Sequence, residues 1–351
     1  MKTLPFKLIV LLLLIPVSVF SGDLKRGKYT KEKKIHKAYI VNSNAMLDVA
    51  NKFGNIYVTT WDEDKTDIDV VITVSGNSED KVDKRLSTID VEFNALKNRI
   101  GAITRIGSGN YNNISMEINY TIKIPKNGGI TLHNQYGGIV VSSVNAPAVI
   151  KCGYGSVKCE SLNNISNTIT LAYCNGNNFD YIKGGTVNIE YSDLNINKAG
   201  NLDLDSKYTD VKLGDIGEVK YNSEYVNIKR AKACVFNGRG IYMDFRFGTI
   251  TSLLNMSANY GNIEVDNIEA NTRNVTINCA YTNVDLGVSE NYTFDYEFSL
   301  SYGNLNTRLP LNQSEKKERN TSTYYKGYYK RSGNNKVYVR SEYGNINLNR
   351  S

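Results

Sequence analysis

Residues able to do chemistry are few in this chain and poorly placed for it. Only two histidines, His36 and His133, occur in 351 residues, so general-base and zinc arrangements have few candidates. His36 sits in a basic stretch and His133 in a strand-like alternation, and neither has a Ser or Cys partner at a recognisable spacing. Asp193 and Asp210 occupy equivalent places in neighbouring repeats, as the carboxylates of a polysaccharide-cleaving β-helix would, but the next repeat carries Asn227 there. The acidic run Asp62, Glu63, Asp64, Asp67 and Asp69 offers weak cation binding or, more simply, a solvated turn, since it lacks the Gly and terminal Glu of an EF-hand loop. No catalytic residue, metal or cofactor is assigned, and an enzyme is not expected. The richest candidate is a binding patch, Tyr324, Tyr325, Lys326, Tyr328, Tyr329, Lys330 and Arg331, where aromatic faces alternate with cations. Its plain alternative is a soluble disordered loop.

What positions these residues is a repeat. Twelve copies of a short phrase, aromatic then small then Asn-like then aliphatic, start at Phe53, Tyr136, Tyr154, Tyr173, Tyr191, Tyr208, Tyr225, Phe247, Tyr260, Tyr281, Tyr302 and Tyr343. From 136 to 302 the nine intervals average about 18 residues, with a long and a short one on either side of Phe247. Such a period marks a solenoid whose rungs cannot fold alone. Positions −6 and −4 from the aromatic are mostly apolar (Leu202 and Leu204, Val275 and Ile277), and so are +3 and +5 (Ile139 and Val141, Ile263 and Val265). Two short strands meeting at a corner give this pattern, with the phrase as the corner. The aromatic column then reads as a stack, each ring on the next rung, and less readily as a sugar-binding stripe. The +2 column (Asn55, Asn175, Asp193, Asp210, Asn227, Asn262) reads as an amide ladder satisfying turn backbone. A six-residue aliphatic period is absent, so the handedness of parallel crossovers favours a right-handed coil. The cysteines fit this frame as small buried hydrophobes rather than disulfides: Cys152 and Cys279 at −2, Cys159 at +5, Cys174 at +1.

The fold class expected is therefore all-β, a right-handed parallel β-helix of about 18-residue rungs with a small α+β insert near its N-terminal end. Residues 1–22, with Lys2 and Lys7 ahead of the apolar run Leu8–Val17, read as a secretory signal peptide. Residues 23–38 are basic and expected to be flexible, and 39–60 hold the first strands and first repeat. Residues 61–129 form the insert, including a helix capped by Ser78 and a strand ending at Pro125. Residues 130–351 complete the solenoid, with 311–335 as a projecting loop and the last rung left without a cap. The formal charge of +7 is concentrated in the leader, the basic segment and this loop. The body is mildly acidic, which argues against a nucleic-acid groove.

Several of these features occur together in a known order: a leader, Asn51-Lys52-Phe53-Gly54-Asn55-Ile56, Trp61 followed by acids, a strand ending Ile122-Lys123-Ile124-Pro125-Lys126, then tandem Tyr-Gly-x-aliphatic rungs. The chain thus resembles the exported bacterial "putative adhesin" domain family of unknown function, β-solenoids of Gram-negative cell envelopes. The resemblance implies the fold and supplies no catalytic residues. Export to the periplasm or cell surface and non-catalytic binding of an envelope protein or glycan are the expected role. No membrane span remains after leader cleavage. The alternatives are end-to-end self-assembly through open solenoid edges and a polysaccharide lyase or hydrolase.

Overall fold

In the computed structural model, which describes residues 27–109 and 112–351, 74% of the protein is strand and 3% helix. The expected leader lies outside the described residues. In chain order the elements are β1 (Tyr29–Ile40), β2 (Met46–Lys52), β3 (Ile56–Trp61), β4 (Lys65–Gly76), α1 (Glu79–Ser87), β5 (Ile89–Leu96), β6 (Arg99–Ile106) and β7 (Ile114–Pro125). Short strands β8 (Ile130–Gln135), β9 (Ile139–Val144), β10 (Ala148–Gly153), β11 (Val157–Leu162) and β12 (Asn167–Ala172) follow. Pairing then runs through several corners without a break in β13 (Asn178–Glu190), β14 (Asp193–Ile268) and β15 (Asn274–Val288). The chain ends with β16 (Phe294–Ser301), β17 (Leu305–Thr307), β18 (Leu311–Arg319), β19 (Ser322–Tyr329), β20 (Lys336–Glu342) and β21 (Ile346–Arg350).

These strands stack as the alternation requires. β8, β10, β12, β13 and β14 pair in parallel and in register, so Leu132, Ile150, Ile169, Val187 and Leu204 form one buried column. β9, β11 and β13 pair likewise on the other side of the corner. The core is one aliphatic cluster that turns aromatic at Tyr221, Phe236, Phe245 and Phe247, whose rings meet edge to face or stacked.

Both ends depart from sequence order. β2 lies between β6 and β8, and β3 between β7 and β9. The segment expected to be a separate α+β insert therefore supplies the outermost rung, while its β4 pairs antiparallel with β7 and α1 packs beside it. At the other end β20 lies between β15 and β16, and β21 between β15 and β17. The final rung of the sequence is thus clamped on both sides.

Three expectations about the tails are corrected. The basic segment is not a flexible tail from Tyr29 onward, because it forms β1 along the whole of β4. Two of its lysines are matched by neighbouring elements: Lys31 meets Glu79 and Asp83 of α1 at 3.0 and 2.7 Å, and Lys33 meets Asp90 at 2.9 Å. Nor do residues 311–335 project as a loop. β18 and β19 make an antiparallel hairpin that covers the free side of β16, because Tyr325, Gly327 and Tyr329 alternate inward against Phe298, Tyr296 and Phe294. Consequently the solenoid is capped, and Ser351 is not its open end. Ser78 stands at the helix N-cap position, but its side chain makes no capping hydrogen bond.

Candidate functional site

At each corner the aromatic residue itself has a left-handed backbone, from φ 47° at Tyr191 to 62° at Tyr136. The reason lies in the hydrogen bonds: Tyr136, Tyr154, Tyr173 and Tyr191 each donate their N–H to the next rung, to Gly153, Ala172, Glu190 and Lys207 at 2.9–3.1 Å. Turning at the aromatic keeps the ladder continuous through the bend. Phe247 is not a corner. Tyr242 takes that place, with φ 56° and its ring stacked between Tyr225 and Tyr260, whereas Phe247 is fully buried five residues later in an inward slot. With Tyr242 restored, the long and short intervals disappear.

The corner rings form one file: Phe53, Tyr136, Tyr154, Tyr173, Tyr191, Tyr208, Tyr225, Tyr242, Tyr260, Tyr281, Tyr343 and Tyr302. Successive centroids are 4.6–5.2 Å apart and ring planes lie within 2–17° of parallel. The tyrosines are nevertheless 43–57% exposed. Each ring face inside the file is covered by its neighbours, so a sugar ring has nothing to stack on. What reaches solvent is a row of ring edges and hydroxyls.

Beside the file the +2 residues are occupied structurally. Asn55 Oδ1 accepts from the Gly138 N–H at 2.7 Å, Asn227 donates to Asp210 at 3.0 Å and Asn262 to Asp244 at 2.8 Å. Asp193, a carboxylate of the lyase alternative, accepts from the Gly176 and Asn177 N–H groups at 3.0 and 3.1 Å. His36 does have a partner: Nδ1 lies 2.8 Å from Asp69 and 3.7 Å from Asp67, and the three ligand atoms fall within 4.8 Å of one another. Asp67 is also held by Lys65 at 3.0 Å, and Asp62 by Lys126 at 2.6 Å, so two of the five acids in the run are paired with lysines. All five cysteines are free thiols, four of them buried and Cys234 exposed.

The tyrosine and cation patch is split by its strand. In β19, Tyr329 is buried against Phe294, and Tyr325 faces the same inward side with Lys316 over its ring. Tyr324, Lys326 and Tyr328 point the other way, onto an outer face shared with β16, β20 and β15. Cross-strand register sets its rows: Tyr328, Asp295, Lys336, Asn274; then Lys326, Glu297, Tyr338, Thr276; then Tyr324, Ser299, Arg340, Asn278. Lys330 and Arg331 follow the strand and are exposed. Three half-buried tyrosines, Tyr324, Tyr328 and Tyr338, thus surround a Glu297–Lys326 ion pair at 3.1 Å. The carboxylate holds the Lys326 amine above its ordinary pKa, chiefly by hydrogen bonding. None of the three rings enters a ring–ring stack among the described residues, unlike those of the file. Sequence reading missed Tyr338. It joins Tyr324 and Tyr328 only through the pairing of β20 with β16, and its alternation with buried Val337 and Val339 was the one signal that it faces outward.

A solenoid of parallel rungs turning at left-handed aromatics, with antiparallel caps at both ends, is the class that this geometry defines. The chain belongs to the Toastrack DUF4097 family, whose model matches residues 44–349. It is similar to the crystal structure of a "putative cell adhesion protein" from Clostridium sporogenes at 13% identity, covering 91% of this chain and 100% of that one with a TM-score of 0.20. It is also similar to a "putative adhesin" from Bacteroides fragilis at 14% identity, covering 90% and 97% with a TM-score of 0.31. No curated protein matches. Among the described residues, no helix is long and apolar enough to cross a membrane.

Proposed function

We propose that this is an exported, non-catalytic, adhesin-like protein of the cell envelope. It engages an external protein or glycan through the outer face of β15, β16, β19 and β20. The observation that carries this is the set of three unstacked tyrosines around the Glu297–Lys326 pair, with Lys336 and Arg340 alongside. Unstacked aromatic rings interleaved with cations suit polarised C–H groups and anionic substituents. The adhesin names of similar structures agree with such a role. Self-assembly end to end is the weaker alternative, because the outer strands are charge-guarded: β1 by Lys31, Lys33, Lys34 and Lys37, and β18 by Glu315, Lys316, Lys317 and Glu318.

The test is binding of the wild type and of Tyr324→Ser/Tyr328→Ser/Tyr338→Ser to a printed glycan array and to blotted envelope proteins. Deleting the hairpin would uncover β16, so surface substitutions are the cleaner perturbation. Loss of at least tenfold in signal with an unchanged circular dichroism spectrum is expected. Equal binding by the two proteins would refute the face, and turnover of an array glycan would refute the non-catalytic reading.

A further inference from the structure

The tyrosine file is a second surface, along the corners of the rod. Its eleven steps carry it roughly 54 Å, from Phe53 to Tyr302. Each tyrosine is about half exposed, which leaves roughly 100 Å² of each side chain in water, or about 1,000 Å² in all. That exceeds the largest apolar patch of a typical monomer, about 300–600 Å². It also exceeds the roughly 800 Å² that one partner contributes to a standard interface.

The partner must fit a surface of unusual regularity. Ring faces are consumed within the file, so contact is through edges and hydroxyls that recur once per rung. A partner meeting every rung needs the same repeat of about 4.8 Å, the spacing of stacked strands. A second copy of this chain has that repeat by construction. Charge in the column just before the rings agrees with a pairing in which the two rods run in opposite directions; in the column two residues after them, Asp193 would face Asp244, each already held by amide N–H groups. The midpoint, six rings from each end, falls between Tyr208 and Tyr225, and there Lys207 and Glu224 flank the file 3.6 Å apart. A two-fold axis at this point sets Lys207 of each copy against Glu224 of the other, the self-complementary arrangement of an isologous dimer. At the equivalent positions near the ends, Lys52 would face Ser301, and Gln135 would face Glu342. No like charges oppose one another along the column just before the rings.

We propose that the tyrosine file is a self-association surface through which two copies zip side by side and antiparallel. No strand edge takes part, so the charged caps do not oppose it.

Sedimentation velocity of the chain as exported, over a concentration series, tests this against Tyr191→Asn/Tyr208→Asn/Tyr225→Asn. Asn tolerates the left-handed backbone, so the variant keeps its corners. The wild type should dimerise and the variant should dissociate at least tenfold more readily. A charge test covers the case in which the variant folds poorly: Lys207→Glu should weaken the dimer, and Lys207→Glu/Glu224→Lys should restore it. A wild type that stays monomeric at about 100 μM overturns the proposal. So does a variant that dimerises like the wild type, or a charge reversal without effect. If the wild type is monomeric but the Asn variant loses glycan or envelope-protein binding, the file serves an outside partner and the proposal also fails.

Discussion

Replacing Tyr260 with Gly and with Ala should invert the usual order of those two residues within a sheet. Tyr260 has φ 60°, its ring lies 4.9 Å from that of Tyr242 and 5.0 Å from that of Tyr281, and it is 43% exposed. A fully buried ring would cost about 3–5 kcal/mol on truncation to Ala. Here slightly more than half of the side chain is covered, worth about 2 kcal/mol at ordinary transfer values, and two stacking contacts add about 0.5 kcal/mol or more each. Tyr260→Ala should therefore cost about 3 kcal/mol. Tyr260→Gly loses the same contacts but relieves a left-handed conformation worth about 1 kcal/mol, so it should cost about 2 kcal/mol. Elsewhere in a strand, Gly is the worse residue by about 0.5–1 kcal/mol. Urea unfolding followed by circular dichroism measures the difference, provided that the three proteins show equal slopes. An Ala variant as stable as the Gly variant would refute the idea that backbone conformation at the corner is a cost which the ring contacts offset.

Three further outcomes follow from the packing. Under non-reducing conditions a maleimide should label Cys234 alone in the native protein and all five thiols after unfolding, since Cys152, Cys159, Cys174 and Cys279 are buried and Cys159 is pushed up to about 12 by burial; a native count above one, or fewer than five after unfolding, contradicts this. Stability should fall as pH rises above about 10. Burial pushes the Tyr120 hydroxyl up to about 12 and raises those of Tyr221 and Tyr292, so the unfolded chain ionises first, and the stability present below pH 10 is lost through the folded value. Tyr120→Phe should flatten this alkaline slope in a pH series of urea titrations, and an unchanged slope would remove Tyr120 from the account. Removing residues 336–351 should abolish hydrogen-exchange protection in β16 and β19 as well as in the lost strands, because β20 lies between β15 and β16; a dispensable terminal rung would leave them protected.

The rung was legible because its signals are local. Period-two aliphatics on both sides of an aromatic define two strands and a bend, and pairs such as Val275 and Ile277 need no tertiary information. Tyr242 escaped because Met243 occupies the small +1 place, while Phe247-Gly248 imitates the phrase from inside the core. The end caps escaped for another reason: in β1, Lys31, Lys33 and Lys37 alternate on the same face as Ile35 and Tyr39, and in the hairpin Lys316 lies over the inward Tyr325, so charge on the packed side hides the apolar alternation. Rung order at the ends depends on long-range register, which no local pattern encodes. The candidate binding face shares that dependence, since Tyr338 lies about ten residues from Tyr328 in the chain and comes level with it only through β16.

Hydrogen exchange of the protein with and without the strongest hit from the glycan or envelope-protein screen tests the proposed binding face most directly. Protection confined to residues 295–299, 322–328 and 336–340 is the predicted footprint. Protection along the corner tyrosines, with these strands unchanged, would contradict the assignment.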